Sequence, residues 1–364
     1  QVKWLPIVQI ASIAGPWAVT FLIVFANTAI AELFIKDNKR YKAWVFTAFI
    51  AVIITAVWGN AEIGRISQKN TPEVSVAMVQ GNVELTWNTP EIDKKIYETY
   101  WPMTDRMKGK ADFIVWPESS LPDDIESSAV LQNEISRLSR DNGAYLLVGG
   151  LHNVADVKAA GGYRQYNGAY LFGPSGEMIG KYYKIQLVPF GEFVPGRNKL
   201  PFLDKYQINE LDRYPGNGFV PIKSEHGNLG VMICFESTFP HIGRQLSSNG
   251  ANVLFIITND SWFKKTSAAA QHHDFSIFRA VENRRYVVRN ASTGISSLIA
   301  PTGEIIASAG LGEKAIVSGK VEMMHGLTFY AKYGDWFAYL CGVLTAIGIF
   351  AAIIFPRKMK RRRS

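Results

Sequence analysis

Only two cysteines occur in the 364 residues, Cys234 and Cys341. One sits in a polar-flanked central region and the other in a long apolar run, so a disulfide between them is not expected and a disulfide scaffold is excluded. The cysteines and the six histidines form no CxxC, HxxxH or HExxH spacing, which leaves no sequence basis for a metal site. A glycine-rich phosphate loop, internal repeats and low-complexity tracts are also missing, and no cofactor is expected. No charged n-region with a cleavage site opens the chain, so no signal peptide is read. The start at Gln1 rather than Met leads us to expect a fragment or a processed start.

Charge is sparse and unevenly placed. Charged residues make up 19% and apolar residues 48%, a balance leaning toward a membrane protein. The mean hydropathy of +0.02 is nevertheless too low for a bundle made only of spans. Apolar ends around a globular middle fit both values. The net charge of +8 would suit a nucleic-acid partner if it formed one basic surface. Much of the excess instead lies in residues 36–42 and 357–363, each against a hydrophobic run. These clusters are read as topology signals, with no nucleic-acid partner.

Residues 17–35, 43–58 and 337–355 are the candidate spans. A crossing helix needs about 20 apolar residues, with roughly 17 as the lower end. The first and last qualify; the middle one is short and stays open to reading as a buried helix. Positive charge marks the cytoplasmic end of a span. Both basic clusters then lie inside, and the region between the second and third spans lies outside. The expected organisation is two spans within 1–69, an extracytoplasmic domain over 70–330, and a last span with a basic tail over 331–364. Entry into the first span from outside leads us to expect an odd number of spans upstream if the natural N-terminus is cytoplasmic.

From Glu73 onward, short β-branched runs alternate with helical stretches. Strands are expected at 74–80, 112–116, 144–149, 168–172, 229–234, 253–258, 286–289, 296–299 and 315–320, and helices at 90–108, 129–142 and 267–284. Near-continuous apolar strands between helices indicate an α/β domain whose sheet is buried on both faces.

Four junctions between an apolar strand and a polar loop carry candidate chemistry. Phe113 to Trp116 is followed by Pro117-Glu118, which puts a carboxylate at a sheet edge where a general base is useful. The alternative is a surface Glu opening a loop. Gly230 to Ile233 leads into Cys234-Phe235-Glu236, a thiol at a strand end beside a carboxylate. A Cys is often only a small buried hydrophobe, whereas a nucleophilic one needs a base or cation nearby. Lys184 precedes an apolar Pro/Gly loop containing Glu192, where an ammonium can face a cavity and stabilise an oxyanion; most lysines are simply solvated. Thr258-Asn259-Asp260-Ser261-Trp262-Phe263 closes a fourth strand. There Asn259 and Asp260 read as turn formers, and Trp262 and Phe263 as pocket aromatics. A Cys–His pairing stays open, although no histidine has a strand-end setting like that of Glu118.

In this order, Trp116-Pro117-Glu118, Lys184 with the 188–195 segment Val-Pro-Phe-Gly-Glu-Phe-Val-Pro, and Cys234-Phe235-Glu236 resemble the Glu-Lys-Cys triad of the nitrilase superfamily. The 187–195 loop, the Val79-Gln80-Gly81-Asn82 segment with Trp87, and the flanking spans narrow the resemblance to the apolipoprotein N-acyltransferase family. The resemblance implies an α-β-β-α sandwich of nitrilase type flanked by transmembrane helices. It also implies Cys234 as nucleophile, Glu118 as base and Lys184 as oxyanion stabiliser, with Trp87, Glu192, Phe235, Glu236 and Trp262 in support. Phe235 stands where the family pattern has Tyr, and Ser261 and Lys264 replace small residues. The implied partners are a phospholipid acyl donor, a diacylglyceryl lipoprotein acceptor and the lipid bilayer of a bacterial inner membrane. The competing reading is a membrane-anchored amidase or nitrilase.

Overall fold

The structure, a computed structural model, describes residues 2–34, 41–67, 72–84, 89–121, 123–157, 159, 162–197, 199–206 and 212–354. Trp87 and the basic stretches at 36–40 and 357–363 lie outside these residues.

The central domain is built on two six-stranded sheets. The first has the order β12-β1-β2-β3-β4-β5, comprising Ala315–Glu322, Glu73–Gln80, Phe113–Val115, Tyr145–Ala155, Tyr163–Phe172 and Met178–Tyr183. The second has the order β11-β10-β9-β8-β7-β6, comprising Ile305–Ala309, Ser296–Ile299, Val287–Ala291, Val253–Thr258, Gly227–Ile233 and Ile222–Ser224. Parallel pairs β1–β2–β3 and β7–β8–β9 form the centre of each sheet. Antiparallel strands complete the edges.

The side-chain alternation of a strand explains the layering. Val74, Val76 and Met78 of β1 face Val231, Ile233, Phe255 and Ile257 across the gap between the sheets. Ala77 and Val79, on the opposite face of β1, pack on Ile96, Tyr100 and Met103 of α4 (Pro90–Asp105) and on Leu131, Ile135 and Leu138 of α5 (Ala129–Asn142). Met232, Leu254 and Ile256 likewise turn outward onto α6 (Pro240–Ser248) and α7 (Ser267–Asn283). Both faces of both sheets are therefore apolar, which is why the strands read as unbroken hydrophobic runs. Each fully buried Leu, Ile or Phe contributes about 1.5–3 kcal/mol. The result is the α-β-β-α sandwich.

Local signals set the helix ends. Thr89 caps α4 by accepting from the Ile92 amide, and Pro90 occupies its first position. Ser128 caps α5, whose end is Gly143 at φ +62°. Strands β5, β6 and β11 were not expected from the sequence. They are edge strands, and β11 in particular is mostly exposed, so they lack the buried alternation that marks the others. Strands β3 and β4 also run past their expected ends, as a hairpin that leaves the core and grades from buried to exposed.

Among the described residues, three helices are long and apolar enough to cross a membrane, over Ala11–Phe34, Lys42–Ser67 and Trp336–Ile354. The middle one is longer than its apolar run, because helix α3 (Tyr41–Ser67) continues through the polar Asn60, Glu62 and Arg65. A short helix, α1 (Leu5–Val8), precedes α2 (Ala11–Ala31). Helix α2 kinks at Ala14–Gly15, where Gly15 has φ +66° and a Cβ would lie 2.6 Å from the Tyr330 ring. That ring belongs to α8 (Phe329–Tyr333), just before the last helix, α9 (Trp336–Ile354).

Polar contacts tie these helices to the sandwich. Gln9 Nε2 donates to Thr302 O at 2.8 Å, while Trp17 Nε1 donates to Asp335 Oδ1 at 2.7 Å and so ties α2 to the start of the last helix. Arg284, which ends α7, donates to Gln9 Oε1 and Ser12 Oγ and lies 3.7 Å from Glu62. The apolar helices and the domain are thus packed on one another.

Candidate active site

Four of the strand ends singled out in the sequence open on one cavity of about 330 Å³. Its walls include Glu118, Lys184, Glu192, Cys234, Phe235, Trp262 and Phe263. Glu236 lies beneath it, and Trp87 is outside the described residues.

Glu118 follows β2 in a loop pressed against β3. Gly149 makes that approach possible, since a Cβ there would lie 2.4 Å from the Pro117 carbonyl. The carboxylate is buried and fully engaged. Oε1 accepts from Asn167 Nδ2 at 2.7 Å and Lys184 Nζ at 3.3 Å, and Oε2 accepts from the Asn259 amide at 2.8 Å. It is therefore held on both oxygens by groups from β4, the end of β5 and the end of β8.

Lys184 is only 1% exposed. Its ammonium donates to Glu192 Oε1 at 3.0 Å as well as to Glu118. Burial works against the charge, but the two carboxylates outweigh it and hold the ammonium well above the usual lysine range. The same pairing works the other way on Glu192. Burial opposes its ionisation, while Lys184 and the Val188 amide, 2.9 Å from Oε2, keep the carboxyl below its ordinary value. The 187–195 loop thus closes on itself through Glu192, with Phe190 at φ +61° at its tip.

Cys234 opens the 3-10 turn Cys234–Thr238 directly after β7, with φ +52°. A non-glycine residue there costs about 1–2 kcal/mol and persists only where its surroundings impose it. Glu236 supplies one clamp. Its Oε2 accepts from the Ile233 amide at 2.8 Å, and its Oε1 accepts from the Ile185 and Gln186 amides and the Tyr182 hydroxyl. Burial pushes this carboxyl up to about 7, while those donors favour its charged form. One carboxylate therefore joins the Cys234 turn to the segment that follows Lys184. The Cys234 thiol is pushed up by burial and by Glu118, and pulled down by Lys184.

Asp260 is not the simple turn former expected from the sequence. It is buried, accepts from Arg289 Nη2 at 2.9 Å and from Thr258 Oγ1, and lies 2.9 Å from His272 Nδ1. Burial opposes its charge, but Arg289 prevails and holds it at about 2. His272 in turn reaches the Cys234 backbone. Its Nε2 lies 3.1 Å from the Cys234 carbonyl and 3.1 Å from Ser237 Oγ. Asn167, Arg213 and His272 also line the cavity. None carries a motif, since each sits in mid-element or in a loop and becomes informative only through its neighbours. Trp262 is 47% exposed at the rim, while Phe263 packs edge-on to His272. Among the described residues no group of His, Cys, Asp and Glu is arranged to hold a metal ion.

Comparison with known proteins agrees with this architecture. The carbon-nitrogen hydrolase family model matches residues 75–325. The chain is 33% identical to the apolipoprotein N-acyltransferase of Geobacter metallireducens, over 98% of this chain and 69% of that protein. It is 31% identical to apolipoprotein N-acyltransferase 2 of Treponema denticola, over 95% and 70%. Among solved structures, Saccharomyces cerevisiae Nit3, of the nitrilase superfamily, superposes with a TM-score of 0.52 at 20% identity, covering 80% of this chain and 97% of that one. An amidase from Nesterenkonia sp. gives 0.53 at 17%, covering 76% and 98%. These two share the fold of the sandwich. The likeness to the acyltransferases runs through the sandwich and the apolar helices alike, and the chain belongs to the apolipoprotein N-acyltransferase family.

Proposed function

We propose that the cavity transfers an acyl chain from a phospholipid to the N-terminal amine of a diacylglyceryl-cysteine lipoprotein, through a thioester on Cys234. The observation that carries this reading is the placement of Glu118, Lys184 and Cys234 on the wall of one cavity. In the first step Glu118 takes the thiol proton, and Sγ attacks the ester carbonyl carbon. Negative charge develops on the carbonyl oxygen, where Lys184 stabilises it; one well-placed donor of this kind contributes about 3–4 kcal/mol. The carbon–oxygen bond then breaks, and the departing lysophospholipid oxygen takes the proton from Glu118. In the second step the lipoprotein amine attacks the thioester and gives a proton to Glu118. The carbon–sulfur bond breaks, the amide forms, and the proton returns to sulfur. Glu192 and Glu236 position Lys184 and the Cys234 turn, with Phe235 and Trp262 as lining residues.

Both substrates are lipids, which accounts for a catalytic domain tethered by apolar helices. In this reading residues 1–69 and 331–364 hold the chain in a bacterial inner membrane, and residues 70–330 lie on the extracytoplasmic face. The basic clusters at 36–42 and 357–363 support that orientation.

Intact-mass measurement after incubation with a defined phospholipid tests the chemistry. One acyl chain is expected on the wild-type protein and none on Cys234→Ala. Addition of a diacylglyceryl peptide then discharges the adduct as an N-acyl peptide. Release of free fatty acid in its place would identify a hydrolase and overturn the transferase reading.

A further inference from the structure

A second cation on the cavity wall takes no part in the chemistry proposed above. The backbone of Arg213 is pinned on both sides, because its amide donates to Glu192 O at 2.7 Å and the next amide, of Tyr214, donates to Gln165 O at 2.8 Å. Its side chain lines the cavity with Lys184 and Cys234. The nearest carboxylate oxygen, Glu192 Oε1, is 3.9 Å from Nε and already receives Lys184 and Asn167. Glu192 Oε2 is occupied by the Val188 amide. Arg213 Nη1 is out of contact with solvent and meets no acceptor among the described residues. A guanidinium whose donors are so poorly matched is costly, and the side chain keeps 16% of its surface open, on the cavity, where an acceptor brought by a ligand can meet it.

The planar fork of arginine matches paired oxygens such as those of a phosphodiester. A glycerophospholipid carries its phosphate on the same glycerol as its esters. With an ester carbonyl at Cys234, the phosphate falls only a few bonds away, within the same cavity. The lipoprotein acceptor brings a diacylglyceryl group without phosphate. We propose that Arg213 binds the phosphodiester of the acyl donor and so selects phosphate-bearing lipids for the first half-reaction. This rests on the phospholipid-donor reading above.

The test measures acylation of Cys234 by intact mass, using the full chain in detergent. Two donors are compared: dioleoyl phosphatidylglycerol and p-nitrophenyl oleate, an ester without phosphate. The readout is the ratio of the two rates. Arg213→Gln is expected to lower that ratio about 10- to 100-fold, the range of one hydrogen bond to a charged group. Arg213→Lys, which keeps the charge but loses the fork, is expected to fall between. An unchanged ratio, whether both rates fall together or neither falls, overturns the proposal. So does competition by millimolar inorganic phosphate that depends on Arg213, which would assign the site to free phosphate. Wild-type protein that takes acyl from p-nitrophenyl oleate but never from phosphatidylglycerol would instead sink the donor reading itself. Stoichiometric alkylation of Cys234 in each variant shows that the cavity has formed.

Discussion

His272 Nε2 lies 3.1 Å from the carbonyl oxygen of Cys234. The imidazole packs against that carbonyl and braces the peptide whose φ is +52°. Nδ1 of the same ring faces Asp260 and Arg289. This chain of contacts links a buried ion pair to the turn that presents the sulfur.

His272→Phe keeps a ring but loses the contacts of both ring nitrogens. It is expected to slow acyl-adduct formation about 10- to 100-fold, as for loss of one or two hydrogen bonds at a strained turn. His272→Gln can still donate to the carbonyl and should recover part of the rate. Equal rates in wild type and both variants would show that the turn holds its shape unaided.

The thiol titration gives a signed prediction. Burial and then Glu118 raise the Cys234 thiol, while Lys184 lowers it. Glu118→Gln removes a negative charge beside the sulfur, so the midpoint of iodoacetamide alkylation should move to lower pH even as acyl transfer is lost. Lys184→Met removes the positive charge and should move it to higher pH. Shifts in the same direction for both variants would mean that neither group faces the sulfur.

Asp260 and Arg289 form a pair with no solvent exposure of either side chain. Asp260→Asn leaves the guanidinium unpaired and should cost about 3–5 kcal/mol, the usual effect of breaking a buried ion pair from one side. The sign with pH follows from the depressed carboxyl, at about 2 against 3.8. Its contribution is fully present above the ordinary aspartate value and is lost as pH falls through about 2. Denaturation of wild type and Asp260→Asn at pH 7 and at pH 3 measures both effects, and the gap between them should narrow in acid.

Arg284→Ala cuts the contacts to Gln9, Ser12, the Pro301 carbonyl and Glu62. The sandwich core is untouched, so Cys234 should still react with iodoacetamide. The thermal midpoint in detergent should drop by several degrees, about 2 kcal/mol for the loss of hydrogen bonds to one buried charge. An unchanged midpoint would mean that the Arg284 contacts contribute nothing to holding the apolar helices on the domain.

Much of the sandwich could be read directly from residue order. Strands buried on both faces must be continuously apolar, and Val253–Thr258 and Ser296–Ile299 begin and end where expected. The helix over Ala129–Asn142 likewise has a serine at its start and a glycine after its end. Edge strands such as Ile305–Ala309 escaped because half their surface meets water, which erases the pattern. Glu118 and Cys234 stood out as candidates because each stands at an abrupt change from apolar strand to polar loop, whereas Lys184 and Glu192 stood out only through the Pro/Gly loop they flank and occupy.

Asn167, Arg213 and the Asp260–His272–Arg289 chain were not legible. A polar residue in mid-strand, a loop arginine or a helical histidine looks the same in sequence whether it faces solvent or a cavity. Only the closing of two sheets brings β4, β7, β8 and α7 to one place. There burial strips water from these groups and leaves each dependent on a partner far away in the chain. Sequence alone therefore determined which segments must be buried and where polar groups interrupt them. Tertiary structure decided which of those groups meet, because hydrogen bonds and ion pairs depend on distance and desolvation, and residue order encodes neither.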